Sequence, residues 1–142
     1  MTVRMLTIAL LAAVTVACGD DTATSPTDAD ATAAATTVTY TGTIDVRGSR
    51  FYSFTNNAAG SVTAFLASVT APDTQLPVPA PLEIGVGIPA GTDCATTTTQ
   101  IVSPGLVSQM TASLAAGVFC LRVADAGELK APVTFAVRFT HP

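Results

Sequence analysis

Val133, Phe135, Val137 and Phe139 alternate without interruption with Thr134, Ala136, Arg138 and Thr140 near the end of the chain. A period of two sends successive side chains to opposite faces of an extended strand, so this stretch buries one face and wets the other. The same period recurs upstream. Val38, Tyr40, Ile44 and Val46 alternate with Thr37, Thr39, Thr41, Thr43 and Asp45, and Leu82, Ile84, Val86 and Ile88 alternate with Glu83, Gly85 and Gly87. Further strands are expected over 50–55, 61–69, 106–114 and 118–124, with Ile101-Val102 as a short candidate. Turn formers separate them at Arg47-Gly48-Ser49, Asn56 to Gly60, Ser103-Pro104-Gly105 and Ala115-Ala116-Gly117. The stretch from Pro72 to Pro81 reads as a loop, because its prolines remove ladder donors. About eight short strands with regular turn signals predict an all-β chain, an antiparallel jelly-roll-like β-sandwich.

Composition narrows the function classes. The chain is 49% hydrophobic and 11% charged with a formal charge of −4, which is too apolar for a disordered protein and offers no basic field for nucleic acid. Its single histidine, His141, is penultimate and read as part of a fraying end. That leaves almost no inventory for a His-based triad or a zinc site, and no cofactor or metal is expected.

The N-terminus points to export. Arg4 and the α-amine form a positive n-region, and Met5 to Val16 is a nearly unbroken apolar run ending in Ala17-Cys18-Gly19. Its length, roughly 12 residues, suits a signal peptide and falls short of a membrane-spanning helix. Val14-Thr15-Val16-Ala17-Cys18 resembles a bacterial lipobox, with Thr15 where that family prefers Leu. The resemblance implies lipidation of Cys18 and, since Gly19 follows, sorting to the outer membrane in a diderm host. Cleavage by the ordinary signal peptidase, leaving a free Cys18 thiol, is the competing reading. Behind it, Thr, Ala, Ser, Pro and Asp dominate to about Thr37, a composition that cannot offset its chain entropy by burial. The expected organisation is a signal peptide over 1–17, a lipidated flexible tether over 18–36, and a sandwich domain over 37–142.

Within that domain, Tyr40-Thr41-Gly42-Thr43-Ile44, Phe51-Tyr52-Ser53-Phe54 and Ala59-Gly60-Ser61-Val62-Thr63-Ala64-Phe65-Leu66 follow one another in order. Leu82-Glu83-Ile84-Gly85-Val86, Leu114-Ala115-Ala116-Gly117-Val118-Phe119-Cys120-Leu121-Arg122-Val123 and Val133-Thr134-Phe135-Ala136-Val137 come later. Together they resemble the bacterial pre-peptidase C-terminal domain across the whole globular part. The resemblance implies a targeting or substrate-contact role beside a peptidase, here with the partner in trans. At Leu82 to Val86 a single Glu83 replaces the acidic pair of that family, which puts in doubt the calcium binding known in some relatives.

With Cys18 assigned to lipid, Cys94 and Cys120 remain as one pair in an oxidising compartment. A disulfide would bring their α-carbons to about 4.4–6.8 Å. Two buried thiols or a metal pair are the competing readings. Cys94 is placed in a loop, Gly91-Thr92-Asp93-Cys94, followed by a Thr96–Thr99 run that packs poorly by itself.

No catalytic constellation stands out. Asp45, Asp73, Asp93 and Asp125 sit beside turn residues or face outward, where solvated carboxylates are the plain reading, and no G-x-S-x-G elbow occurs. Gly85-Val86-Gly87 lacks the third glycine of a nucleotide loop and reads as a place where a strand bends or another backbone approaches. Phe51 and its neighbour Tyr52 on one strand point to opposite faces, so at least one of the two is expected to be exposed. Candidate ligand contacts are Phe51, on that ground, and Arg47 with Arg50, as a small anion spot beside the first turn. The expected function is a non-catalytic, lipid-anchored envelope module, monomeric, that binds a protein partner. A jelly-roll carbohydrate-binding module is the alternative, with Phe51, Tyr40, Tyr52 and Phe65 as aromatic platforms, and an accessory or cryptic hydrolase ranks below it.

Overall fold

A computed structural model describes residues 34–142. The expected signal peptide, Cys18 and the expected tether as far as residue 33 lie outside the described residues. Eight strands follow in order: β1 (Thr36–Ile44), β2 (Ser49–Asn56), β3 (Gly60–Thr70), β4 (Leu82–Ala90), β5 (Asp93–Val102), β6 (Met110–Leu114), β7 (Gly117–Asp125) and β8 (Val133–His141). They form two four-stranded antiparallel sheets, ordered β1-β8-β3-β6 (sheet A) and β2-β7-β4-β5 (sheet B). β1 pairs with β8, β2 with β7, β3 with β6 and β4 with β5, the nested pairing of a jelly roll. The expected all-β sandwich is therefore the observed one.

The alternating positions meet between the sheets. Val133, Phe135, Val137 and Phe139 of β8 are buried with Leu121 and Val123 of β7, Leu82, Ile84 and Val86 of β4, and Val62, Ala64 and Leu66 of β3. Aromatic rings bridge the layers: Tyr40 of β1 stacks on Tyr52 of β2 at 4.6 Å, and Phe54 of β2 meets Phe139 of β8 edge-on at 4.6 Å. His141 does not fray. It pairs opposite Thr36 at the end of β8 and is buried beside Phe54 and Phe139, because the core alternation of β8 runs two residues past Phe139. Val46, in contrast, is exposed. β1 stops at Ile44, and a turn closed by the Gly48 N–H on the Asp45 carbonyl carries Val46 out of the sheet.

Two further expectations are corrected. The Thr96–Thr99 run and Cys94 belong to β5, joined to β4 by the two residues Gly91-Thr92, with Gly91 at φ 63°. A hairpin this tight needs a positive φ in its turn, which glycine supplies. The strand expected over 106–114 begins only at Met110, because 103–109 carries the chain from sheet B to sheet A. On the way the Gly105 N–H donates to the Leu66 carbonyl and the Gln109 side-chain oxygen accepts from the Leu66 N–H. This loop thus satisfies the β3 edge where β6 does not reach, next to the irregularity between Leu66 and Ser68.

Candidate binding surfaces

The outer face of sheet B is built around Cys94–Cys120. Cys120 alternates with the core residues Leu121 and Val123 and so points away from the interior. β4 lies between β5 and β7 in the sheet, and strands two apart are normally about 9.6 Å from each other. The α-carbons of Cys94 and Cys120 are only 5.9 Å apart and their sulfurs are bonded. The β4–β5 hairpin tip must therefore leave the sheet plane and lie over β7. Glycine makes this fold-over feasible: a Cβ on Gly87 would overlap the Ala95 carbonyl, and one on Gly85 would lie 2.7 Å from the Thr96 methyl. These are the close backbone approaches expected of that Gly-Val-Gly.

Beneath the tip, Arg122 of β7 spans two carboxylates. Its Nη1 lies 2.9 Å from Glu83 and its Nε 3.8 Å from Asp93. One Asp93 oxygen also accepts the Cys94 N–H at 2.7 Å, which fixes the carboxylate at the tip. Phe51 of β2 sits directly opposite Arg122. Ser49, Phe51, Thr92 and Asp93, with Arg50 and Tyr52, line a cleft of about 420 Å³.

The other candidates are distributed differently from their sequence grouping. Tyr52 turns inward, where its hydroxyl donates to the Thr41 carbonyl at 2.8 Å, while its neighbour Phe51 faces out. Burial raises the pKa of Tyr40, and also that of Tyr52 against the lowering pull of the Arg50 charge. Arg50 donates from Nε to the Thr43 carbonyl at 2.7 Å, so Tyr52 and Arg50 both cap carbonyls of β1. Such contacts cover strand groups that would otherwise offer a pairing edge. Gly42 leaves room for them, since a Cβ there would lie 2.5 Å from the Tyr52 oxygen. Arg47 sits in the turn at φ 60°, and its backbone N–H donates to Asp125 at 2.8 Å. Phe65 lies on the outer face of sheet A, with the Arg138 guanidinium 6.0 Å from its ring centroid.

Asp125 has a structural task that its turn-like neighbourhood concealed. One oxygen accepts the Arg47 N–H, and the other accepts the N–H groups of Gly127, Glu128 and Leu129. Burial pushes its pKa up, but the backbone bonds from Arg47, Leu129, Gly127 and Glu128 together outweigh it and hold the carboxyl below its ordinary value. Asn56 is likewise buried, and its amide donates to the carbonyls of Ala58 and Ala115, tying two turns at one end of the sandwich.

A second surface is apolar. Ala67 to Thr70 of β3, Pro77 to Pro79 and Ser103-Pro104 enclose a groove of about 610 Å³. The segments that supply its prolines also carry Leu76, 63% exposed, and Leu106 and Val107, 88% and 73% exposed. The first of these follows from a loop strung on prolines, the second from the crossing between sheets, where the strand expected from residue 106 has not yet begun.

Neither a family model nor a curated protein matches this chain.

Proposed function

We propose that this protein is a non-catalytic binding module, held on the cell envelope by lipid on Cys18, that engages a protein partner through the apolar groove at the β3 edge. The supporting observation is the groove itself. A small domain seldom leaves two leucines and a valine largely in water on the same two segments that supply the prolines of a concavity without a use for them. Its non-polar lining suits an apolar segment of another protein and offers little to an ionic or polyol ligand. The resemblance to pre-peptidase C-terminal domains agrees with such a role, the partner being an exported protein supplied in trans. The carboxylates support a structural rather than chemical assignment: Asp125 holds backbone amides, and Glu83 and Asp93 hold Arg122.

One experiment tests the whole reading. The full chain is expressed in a bacterium fed a labelled fatty acid, cross-linked on intact envelopes and recovered, beside Cys18→Ala and Leu106→Asp/Val107→Asp versions. The wild type should carry the lipid label and one discrete cross-linked protein. Cys18→Ala should lose the label and membrane retention, and the double aspartate should keep the label and lose the partner. An unlabelled wild type overturns the anchoring, and a cross-link indifferent to Leu106 and Val107 overturns the groove.

A further inference from the structure

We infer that the cleft on the outer face of sheet B is a second binding site, for a neutral sugar unit of a glycan, with Phe51 as its stacking platform and Ser49, Thr92 and Asp93 as its hydrogen-bonding rim. This goes beyond the protein-binding groove and does not depend on it.

Electrostatics select the ligand class. The lining of the cleft carries one charge of each sign, Arg50 and Asp93. The nearby Arg122 charge is answered at 2.9 Å by Glu83 and faced at 3.8 Å by Asp93, so the site has no net positive charge. A phosphate, sulfate or carboxylate ligand would meet Arg50, whose Nε is given to the Thr43 carbonyl, with the Asp93 carboxylate in the same cleft, which disfavours anions over a neutral ligand. The Asp93 side chain is 66% exposed, and one of its two oxygens is occupied by the Cys94 amide. The other is left as an acceptor, and Asp93 lines the cleft together with Thr92 and Ser49. Carboxylate and hydroxyl oxygens are the partners that a polyol's donors require.

Shape and platform agree with this. A volume of about 420 Å³ lies in the range of small-molecule sites, enough for one or two sugar units. Phe51 presents an electron-rich ring face, to which the C–H face of a pyranose is attracted. Its cross-strand neighbour Arg122 is drawn off toward Glu83 and Asp93, and among the described residues no guanidinium stacks on that ring. The cleft is also formed in advance. The disulfide fixes the hairpin tip that carries Thr92 and Asp93, so little ordering is left for binding to oppose.

The test is affinity electrophoresis of the disulfide-bonded protein through gels containing soluble neutral polysaccharides (xyloglucan, galactomannan, mixed-linkage glucan, xylan, starch). Dextran sulfate and an immobilised polyamine serve as anionic and cationic comparisons. Retardation by at least one neutral polymer is expected, weakened about tenfold or more by Phe51→Ala and preserved by Phe51→Trp. Asp93→Ala, at an exposed position, should weaken it while leaving the circular dichroism unchanged. The inference is overturned if no neutral polymer retards the protein, if Phe51→Ala and Asp93→Ala, both folded, migrate as the wild type does, or if only dextran sulfate or the polyamine binds.

Discussion

Each sheet carries one Phe–Arg pair on its outer face, and the two pairs behave differently. On sheet A, Phe65 of β3 lies opposite Arg138 of β8, and the guanidinium rests over the ring at 6.0 Å. On sheet B, Phe51 of β2 lies opposite Arg122 of β7, but Glu83 and Asp93 draw that guanidinium the other way. The backbone relation is the same in both. What differs is the β4–β5 hairpin, which brings a carboxylate over sheet B and has no counterpart over sheet A. Both rings are half-buried. A cross-strand pair is therefore not a self-contained unit: the third group that reaches it decides whether the guanidinium stacks on the ring.

The largest effect should come from removing the clasp that makes the two faces unlike. Replacing Cys94 and Cys120 by Ser should lower unfolding stability by about 3 kcal/mol, since the bond spans a separation of 26 residues. The loss should be local in the native state. Amide exchange over 91–100 should quicken, while β1 and β8 stay protected and the sheet signal in circular dichroism persists. Uniform loosening of both sheets would show that the disulfide supports the whole sandwich and not one face.

Next comes the junction that the sheets share. Asp125 ends β7 and fastens both the β1–β2 turn, which carries the chain from sheet A to sheet B, and the start of the β7–β8 connection. Asp125→Ala should cost about 2 kcal/mol at neutral pH, as expected for hydrogen bonds to a charged acceptor at a partly open site. Its folded pKa is lowered below the ordinary 3.8, so its contribution is present above that value and is lost as pH falls through the folded pKa. Denaturant curves should therefore show a gap between wild type and variant that is constant above about pH 5 and closes below pH 3.8. A gap that persists unchanged into acid would mean that the carboxylate's charge is irrelevant to the latch.

How much was legible follows the same division. β8, β4 and β7 carry the core, and alternation named the inward residues of β8 and, in β4, Leu82, Ile84 and Val86. Ile88, expected on the same face, is instead 56% exposed near the hairpin tip that leaves the sheet. β5 was hidden because only Cys94 and Val102 along it are buried, so an edge strand of threonines shows no periodic apolar face. Leu106 and Val107 misled in the other direction, extending a strand pattern into a loop where they are exposed. The disulfide was reachable from cysteine arithmetic and the export signal. The cleft was half legible: adjacency on one strand sent Phe51 and Tyr52 to opposite faces, but no local rule could bring Asp93 across two strands to meet Arg122. Asp125 and Asn56 were missed as latches because their local bonds, to Gly127, Glu128, Leu129 and Ala58, are those of any turn residue. Their distant partners, the Arg47 N–H and the Ala115 carbonyl, are backbone groups that leave no side-chain pattern.

The smallest expected effect discriminates most sharply between the two faces. A double-mutant cycle on Phe65→Ala and Arg138→Ala should return a coupling of about 0.5 to 1 kcal/mol, the range for a cation over an aromatic ring at an exposed site. The matching cycle on Phe51→Ala and Arg122→Ala should return a coupling near zero, because that guanidinium interacts with Glu83 and Asp93 instead. Arg122→Ala alone should be destabilising all the same, since it leaves two carboxylates facing each other under the hairpin. Adding Asp93→Asn and Glu83→Gln to both arms removes the competitors, and Arg122 is then free to settle over Phe51. The Phe51–Arg122 coupling should rise toward the Phe65–Arg138 value in that background. If it stays near zero without its carboxylates, then strand geometry and not the hairpin's charge keeps the guanidinium off the Phe51 ring, and the difference between the faces lies in the backbone after all.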